Sequence, residues 1–170
     1  PGANGNHVAK YWKNGQAVSL TNGASSARAT SLYLFGSDVY VSGTEQNSQY
    51  ANVAKYWKNG QAVVLATNLT MSSQANAVVV SGNDVYVAGN ESAANGYFIA
   101  KYWKNGQSVN LTNGSTSAYA YAIAVLGNDV FVVGREYNAS YQEVAKYWRN
   151  SKVFTLPGTK ASAVGLVIAP

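Results

Sequence analysis

The 170-residue chain contains no cysteine, so neither a disulfide framework nor a cysteine-ligated metal site can form. It has one histidine, His7, which with no second imidazole or thiol gives no basis for a zinc site or a Ser–His nucleophile. Charge is scarce: Asp, Glu, Lys and Arg make up 11% of the chain, against about 25% in a typical globular protein. No apolar run approaches the roughly 20 residues that cross a bilayer, and no signal peptide is visible. No window has a helical period. The net charge of +5 comes without any basic run, because eight of the twelve Lys and Arg residues belong to one repeated motif. Nucleic acid is therefore not an expected partner, since its recognition needs a clustered basic stripe. No membrane span, metal or cofactor is expected.

What the chain does have is self-similarity. Ala54-Lys55-Tyr56-Trp57-Lys58-Asn59-Gly60-Gln61 recurs from Ala9 to Gln16, from Ala100 to Gln107 and, degraded, from Ala145 to Lys152. The four tryptophans, Trp12, Trp57, Trp103 and Trp148, lie 45, 46 and 45 residues apart. A period of this length means one supersecondary unit used repeatedly. Within the motif, Asn-Gly is the two-residue turn of a hairpin, degraded to Asn150-Ser151 in the last copy. A second hairpin lies between the motifs: Leu32 to Phe35 turns at Gly36-Ser37 into Asp38 to Val41, with counterparts before Gly82-Asn83 and Gly127-Asn128. Its first strand is apolar on both faces, which predicts burial on both sides. Each repeat thus holds four antiparallel strands, A (Leu32 type), B (Val39 type), C (Tyr56 type) and D (Ala62 type).

Four short strands per 40 to 50 residues is the pattern of a β-propeller blade. The expected fold is all-β: a propeller of four-stranded antiparallel blades with units at about 1–27, 28–73, 74–117, 118–160 and a partial unit at 161–170. A β-solenoid or a β-sandwich is the alternative. The repeated Ala-Lys-Tyr-Trp-Lys-Asn-Gly-Gln and Gly-Asn-Asp-Val-Tyr-Val motifs resemble those of uncharacterised bacterial β-propeller repeat proteins. That resemblance implies a fold and no particular activity. Kelch and WD-repeat proteins are similar in architecture alone, because their signature motifs are missing here.

Residues repeated at one position in every unit belong to the framework. The tryptophans and the tyrosines before them are expected as inter-blade core. Asp38, Asp84 and Asp129 with Glu45, Glu91 and Glu136 are expected to pair across strands with the motif lysines, a bulge at Gly43 reconciling the two registers. What differs between repeats marks a candidate binding face. In an up-and-down blade the B–C and D–A loops share one face, and these are the loops that vary. Aligned positions at the start of strand A hold Arg28, Gln74 and Tyr119, then Thr30, Asn76 and Tyr121. The candidate ligand-binding set is Arg28, Tyr50, Gln74, Asn76, Tyr97, Tyr119, Tyr121, Tyr137 and Tyr141.

The leading expectation is a non-enzymatic module, extracellular or periplasmic, that binds a glycan or a protein through this long-loop face. A propeller hydrolase or lyase with its site at the channel mouth is the second, and Glu143 is the one acid outside the repeat pattern. A purely structural or adhesive repeat is the third. Strand counting gives a closing blade that lacks strand B, with Ala161 to Ala169 aligned to strand A. The expectation is a homo-oligomer or further parent sequence that completes a larger ring, and the alternative is a small four-bladed ring with that blade incomplete.

Overall fold

The computed structural model describes residues 2, 5–158 and 160–167. They form fourteen strands in four antiparallel sheets. The first sheet has two strands, β1 (Lys10–Lys13) and β2 (Gln16–Ser19). The second runs β3 (Ala27–Phe35), β4 (Asp38–Gln46), β5 (Asn52–Lys58) and β6 (Gln61–Val64). The third runs β7 (Ser73–Ser81), β8 (Asp84–Ser92), β9 (Phe98–Lys104) and β10 (Gln107–Asn110). The fourth runs β11 (Ala118–Leu126), β12 (Asp129–Tyr137), β13 (Glu143–Arg149) and β14 (Lys152–Thr155). Consecutive strands pair within each sheet, as hairpin connections require.

The turns follow from their residues. Asn14-Gly15, Asn59-Gly60 and Asn105-Gly106 all have positive φ at both positions, the geometry whose twist suits a two-residue hairpin. Asn150-Ser151 adopts it too, with Ser151 held at φ 67°. A serine in the left-handed region strains against its own Cβ, so Ser151→Gly is expected to stabilise the protein by about 1 kcal/mol. A rise in melting temperature of roughly 2–4 °C would register it, and an unchanged or lower value would contradict it.

In the three four-stranded sheets the turn asparagine also grips strand B. Asn59 Oδ1 accepts from the Val39 N–H at 2.9 Å, and its Nδ2 donates to Asp38 at 2.7 Å. Asn105 and Asn150 repeat both bonds on Val85 with Asp84 and on Val130 with Asp129.

The sheets stack face on face through three clusters. In each, the tryptophan of one sheet packs on the sheet before it. Trp57 meets Ala9 and Leu20, Trp103 meets Tyr40, Ala54 and Leu65, and Trp148 meets Tyr86, Ala100 and Leu111. These three rings are 0–1% exposed. Trp12, expected as core like the others, is 67% exposed. The reason is geometric: a tryptophan is buried by the sheet that precedes its own, and among the described residues none precedes β1–β2. The expected two-sided burial of strand A fails at one place for a related reason. Leu32 and Leu34 are 44% and 64% exposed, whereas the aligned Val78 and Val80 are 2% and 6%. Their neighbouring sheet has only C- and D-type strands and leaves the inner part of β3 uncovered.

The ion pairs form as expected, with a different register. Lys58–Asp38 and Lys55–Glu45 are 3.0 and 2.6 Å, and each four-stranded sheet has both pairs. The β4–β5 ladder runs unbroken from Tyr40↔Lys58 to Gln46↔Asn52, so the expected bulge at Gly43 is absent from that pairing. A lysine side chain reaches its diagonal neighbour without one. The bulge lies instead between strands A and B, at Thr30, Asn76 and Tyr121. Gly43 serves closeness: a Cβ there would sit 2.0 Å from the Arg28 carbonyl oxygen and 3.0 Å from the Trp57 ring.

After β14 no strand forms across residues 161–167, where strand A was expected; Ile168, Ala169 and Pro170 lie outside the described residues. The Ala161 and Ala163 N–H groups bond the Glu143 and Gly134 carbonyls at 3.3 and 3.2 Å.

Candidate functional site

The A-strand bulges build the site. A bulge re-aims one side chain out of the alternating pattern. Thr30 Oγ1 thereby donates to the Ala75 carbonyl of the next sheet at 2.6 Å, and Asn76 Nδ2 donates to the Ala120 carbonyl at 2.8 Å. At the third bulge stands Tyr121, on the fourth sheet, and among the described residues no sheet follows for such a clamp to reach. The three inner strands are thus tied into a row whose loop-side ends hold Arg28, Gln74 and Tyr119.

A cavity of about 690 Å³ opens at that end of the row. Arg28, Gln74 and Asn76 of the expected set line it. So do Thr44, Gln46 and Asn52, which sequence reasoning passed over, and Trp12 and Lys10 from β1. Amides, hydroxyls, a guanidinium and an indole converge on the space, and no carboxylate lines it. Asn76 has a double role, because its clamp on Ala120 fixes the amide that faces the cavity.

Tyr119, Tyr121 and Tyr137 gather separately, on the fourth sheet, around Arg135. The guanidinium carbon lies 4.9, 5.8 and 5.4 Å from their ring centroids. Tyr119 and Tyr121 stack at 6.3 Å with 6° between planes, and Phe98 of the neighbouring sheet reaches Tyr119 at 5.4 Å. Glu143 pairs with Arg135 and accepts from the Tyr137 hydroxyl at 3.0 Å. These two bonds, Tyr137 first, hold the Glu143 carboxyl below its ordinary range, and the bond to Glu143 raises the Tyr137 phenol. Burial raises Tyr121. A carboxylate held ionised this way is poorly suited to donate a proton near neutral pH.

Arg135 was missed, although a signal existed. It replaces Thr44 and Asn90 of the aligned positions, just as Glu143 replaces Asn52 and Phe98. Two opposite charges departing from the repeat together mark a local pair.

The remaining members lie on loop tips. Tyr50 and Tyr141 are 83% and 73% exposed, both at positive φ in turns where Asn47 and Asn138 accept two backbone N–H bonds each. Gly96 takes the aligned position with φ 84°. Tyr97 faces Tyr141, whose hydroxyl raises its phenol. Tyr50 joins neither the cavity lining nor the arginine cluster.

Among the described residues no group of three or more His, Asp or Glu side chains could hold a metal ion, and no helix is long and apolar enough to cross a membrane. Fold and site together define an all-β repeat protein of stacked four-stranded antiparallel sheets with a polar cavity at its variable end. Comparison with known protein families returns no match, and no curated protein matches the chain.

Proposed function

We propose that the sheets are blades of a β-propeller and that the chain is a non-enzymatic, exported binding module that takes a glycan at its long-loop end. The observation that carries this reading is the chemistry of the cavity. Its lining is rich in amide and hydroxyl side chains, beside Trp12, His7 and the two cations Lys10 and Arg28, with no carboxylate among them. Such groups match sugar hydroxyls one for one, and an indole offers an apolar face to the C–H side of a pyranose. A pocket of a few hundred cubic ångströms with convergent polar groups is the usual form of a small-ligand site. The lack of a lining acid removes the pair of carboxylates that glycoside hydrolysis normally uses. The Asn-, Ser- and Tyr-rich, charge-poor composition supports a place outside the cytoplasm.

A glycan array followed by titration calorimetry tests it. Gln74→Ala and Arg28→Ala are each expected to weaken binding by about 1–2 kcal/mol, the cost of lost hydrogen bonds at a partly dry site. Tyr119→Ala and Tyr121→Ala are expected to matter less, because those rings are committed to Arg135. Glycan binding insensitive to Arg28 and Gln74 would remove the site. Turnover abolished by Glu143→Gln would move the chain to the enzymes. An array without hits would leave a structural repeat.

A further inference from the structure

The geometry points to a second binding surface: the open edge of β1, which is built to take an extended segment of the form Asp-Val-Tyr-Val-x-Gly-x-Glu by strand addition. This inference does not rest on the glycan reading, although Lys10 and Trp12 of β1 also line that cavity and the two occupants would meet there.

Several independent vacancies at β1 match one missing object. The strands aligned with it, β5, β9 and β13, each have neighbours on both sides, whereas β1 pairs with β2 alone. Its opposite edge therefore presents unpaired N–H and C=O groups, the template used in β-augmentation. Lys55, Lys101 and Lys146 pair with Glu45, Glu91 and Glu136 of strand B, and Lys58, Lys104 and Arg149 pair with Asp38, Asp84 and Asp129. The aligned Lys10 and Lys13 have no acid within salt-bridge distance among the described residues. Asn59, Asn105 and Asn150 each grip the start of strand B by side-chain and backbone bonds. Asn14 has the same turn geometry, and among the described residues it makes none of these bonds. Tyr40 of strand B covers Val78 and Val80 of the next sheet, while the aligned Leu32 and Leu34 stand exposed.

A single strand of B type fills all of these places. Its Asp would meet Lys13 and Asn14, and its Glu, seven residues on, would meet Lys10. Its tyrosine would lie opposite Lys13 in the register of Tyr40↔Lys58 and cover Leu32 and Leu34. Its glycine would fall opposite Lys10, as Gly43 does opposite Lys55. The partner is thus defined by an acid at each end, an apolar centre and one glycine. Exposed apolar surface alone would specify none of these.

The test is a titration of the whole chain with a labelled synthetic peptide copying residues 82–92, read by fluorescence anisotropy without sugar present. Saturable binding is expected, together with slowed amide exchange at Lys10 and Trp12, whose N–H groups point away from β2. Lys10→Glu with Lys13→Glu, checked for an unchanged circular dichroism spectrum, should weaken binding by about tenfold or more, since the peptide's acids would then meet like charges on the diagonal. A peptide with its Asp and Glu replaced by Lys should recover that loss on the doubly substituted chain and bind the original chain poorly. Three results would each overturn the inference: no saturation at millimolar peptide, equal binding of the acidic and the lysine peptide, or binding without protection of β1. Light scattering on the same samples separates the remaining occupant. A self-associated species that the acidic peptide does not dissociate would show that a second copy covers the surface in another way, and would equally overturn it.

Discussion

Trp103→Ala is expected to destabilise the protein by about 3–5 kcal/mol, and Trp12→Ala by a small fraction of that. The two residues occupy the same position of the same motif, so intrinsic propensity and denatured-state effects nearly cancel in the comparison. What differs is cover. Trp103 is fully buried, seated on Tyr40, Ala54 and Leu65 of the preceding sheet and backed by Val78 and Val87 of its own. Removing the indole leaves a cavity between two sheets whose strands are fixed by ladders, so the walls cannot close on it. The neighbouring glycine shows how tightly they are set: a Cβ on Gly89 would stand 2.9 Å from the Trp103 ring and 1.9 Å from the Gln74 carbonyl oxygen. The loss would be a large share of the roughly 5–15 kcal/mol that holds an ordinary domain together. Trp103→Phe should cost much less than the alanine change, because the indole N–H is buried without a partner and its removal breaks no bond. Urea unfolding of the three variants decides the matter. Equal midpoint shifts for Trp12→Ala and Trp103→Ala would mean that Trp12 is covered in solution.

That comparison also shows where sequence reading stops. The period of the tryptophans, the Asn-Gly turns and the strand content were legible because each depends on a few adjacent residues. The ion pairs were legible too, since acids and lysines recur at constant offsets. Exposure of Trp12, Leu32 and Leu34 was not, because it depends on which sheet lies next door, and identical motifs carry no record of that. The bulge was foreseen on the wrong pairing. Gly43 looked like a kink residue, but its role is close packing against the Arg28 carbonyl. Of the positions that diverge between repeats, Arg28, Gln74 and Asn76 line one cavity. The same criterion placed Tyr119, Tyr121 and Tyr137 with them, although an arginine on the adjacent strand draws those rings into a cluster of their own. Tyrosine content alone cannot tell a ring free to stack on a ligand from one already stacked on a guanidinium.

Glu91→Ala is expected to be the most costly change to a charged residue, at about 3–5 kcal/mol. The Glu91–Lys101 pair is the buried member of a repeated set, with both side chains 5–6% exposed against roughly a fifth for Glu45 and Lys55. One inserted residue produces the difference. After Leu20 and Leu111 comes a threonine whose hydroxyl accepts from the Ala9 or Ala100 N–H. After Leu65, Ala66 intervenes, Ser73 Oγ takes the Ala54 N–H instead, and Thr67 is released to fold over the acid. Glu91 then accepts from the Thr67 N–H at 2.8 Å, its hydroxyl at 2.6 Å and the Asn68 N–H at 3.0 Å, besides Lys101. Alanine would strand the buried Lys101 ammonium, whereas Glu91→Leu combined with Lys101→Met should recover most of the loss. The pH dependence adds an independent check. Burial pushes the Glu91 carboxyl up, but the bonds from Lys101, Thr67 and Asn68 outweigh it and hold the group below its ordinary value of 4.5. A carboxyl depressed in the folded state contributes stability that is fully present above the unfolded pKa and fades as pH falls from about 4.5 through the lower folded value. Asp38, Asp84, Asp129 and Glu143 are also depressed and fade over the same acid range, so wild type alone cannot isolate Glu91. The difference between wild type and Glu91→Ala can. Measured by urea unfolding, it should be level from pH 6 to pH 8 and shrink below about pH 4.5. A gap that stays constant on acidification, or a double substitution no better than Glu91→Ala alone, would mean that the pair is held by packing and not by charge.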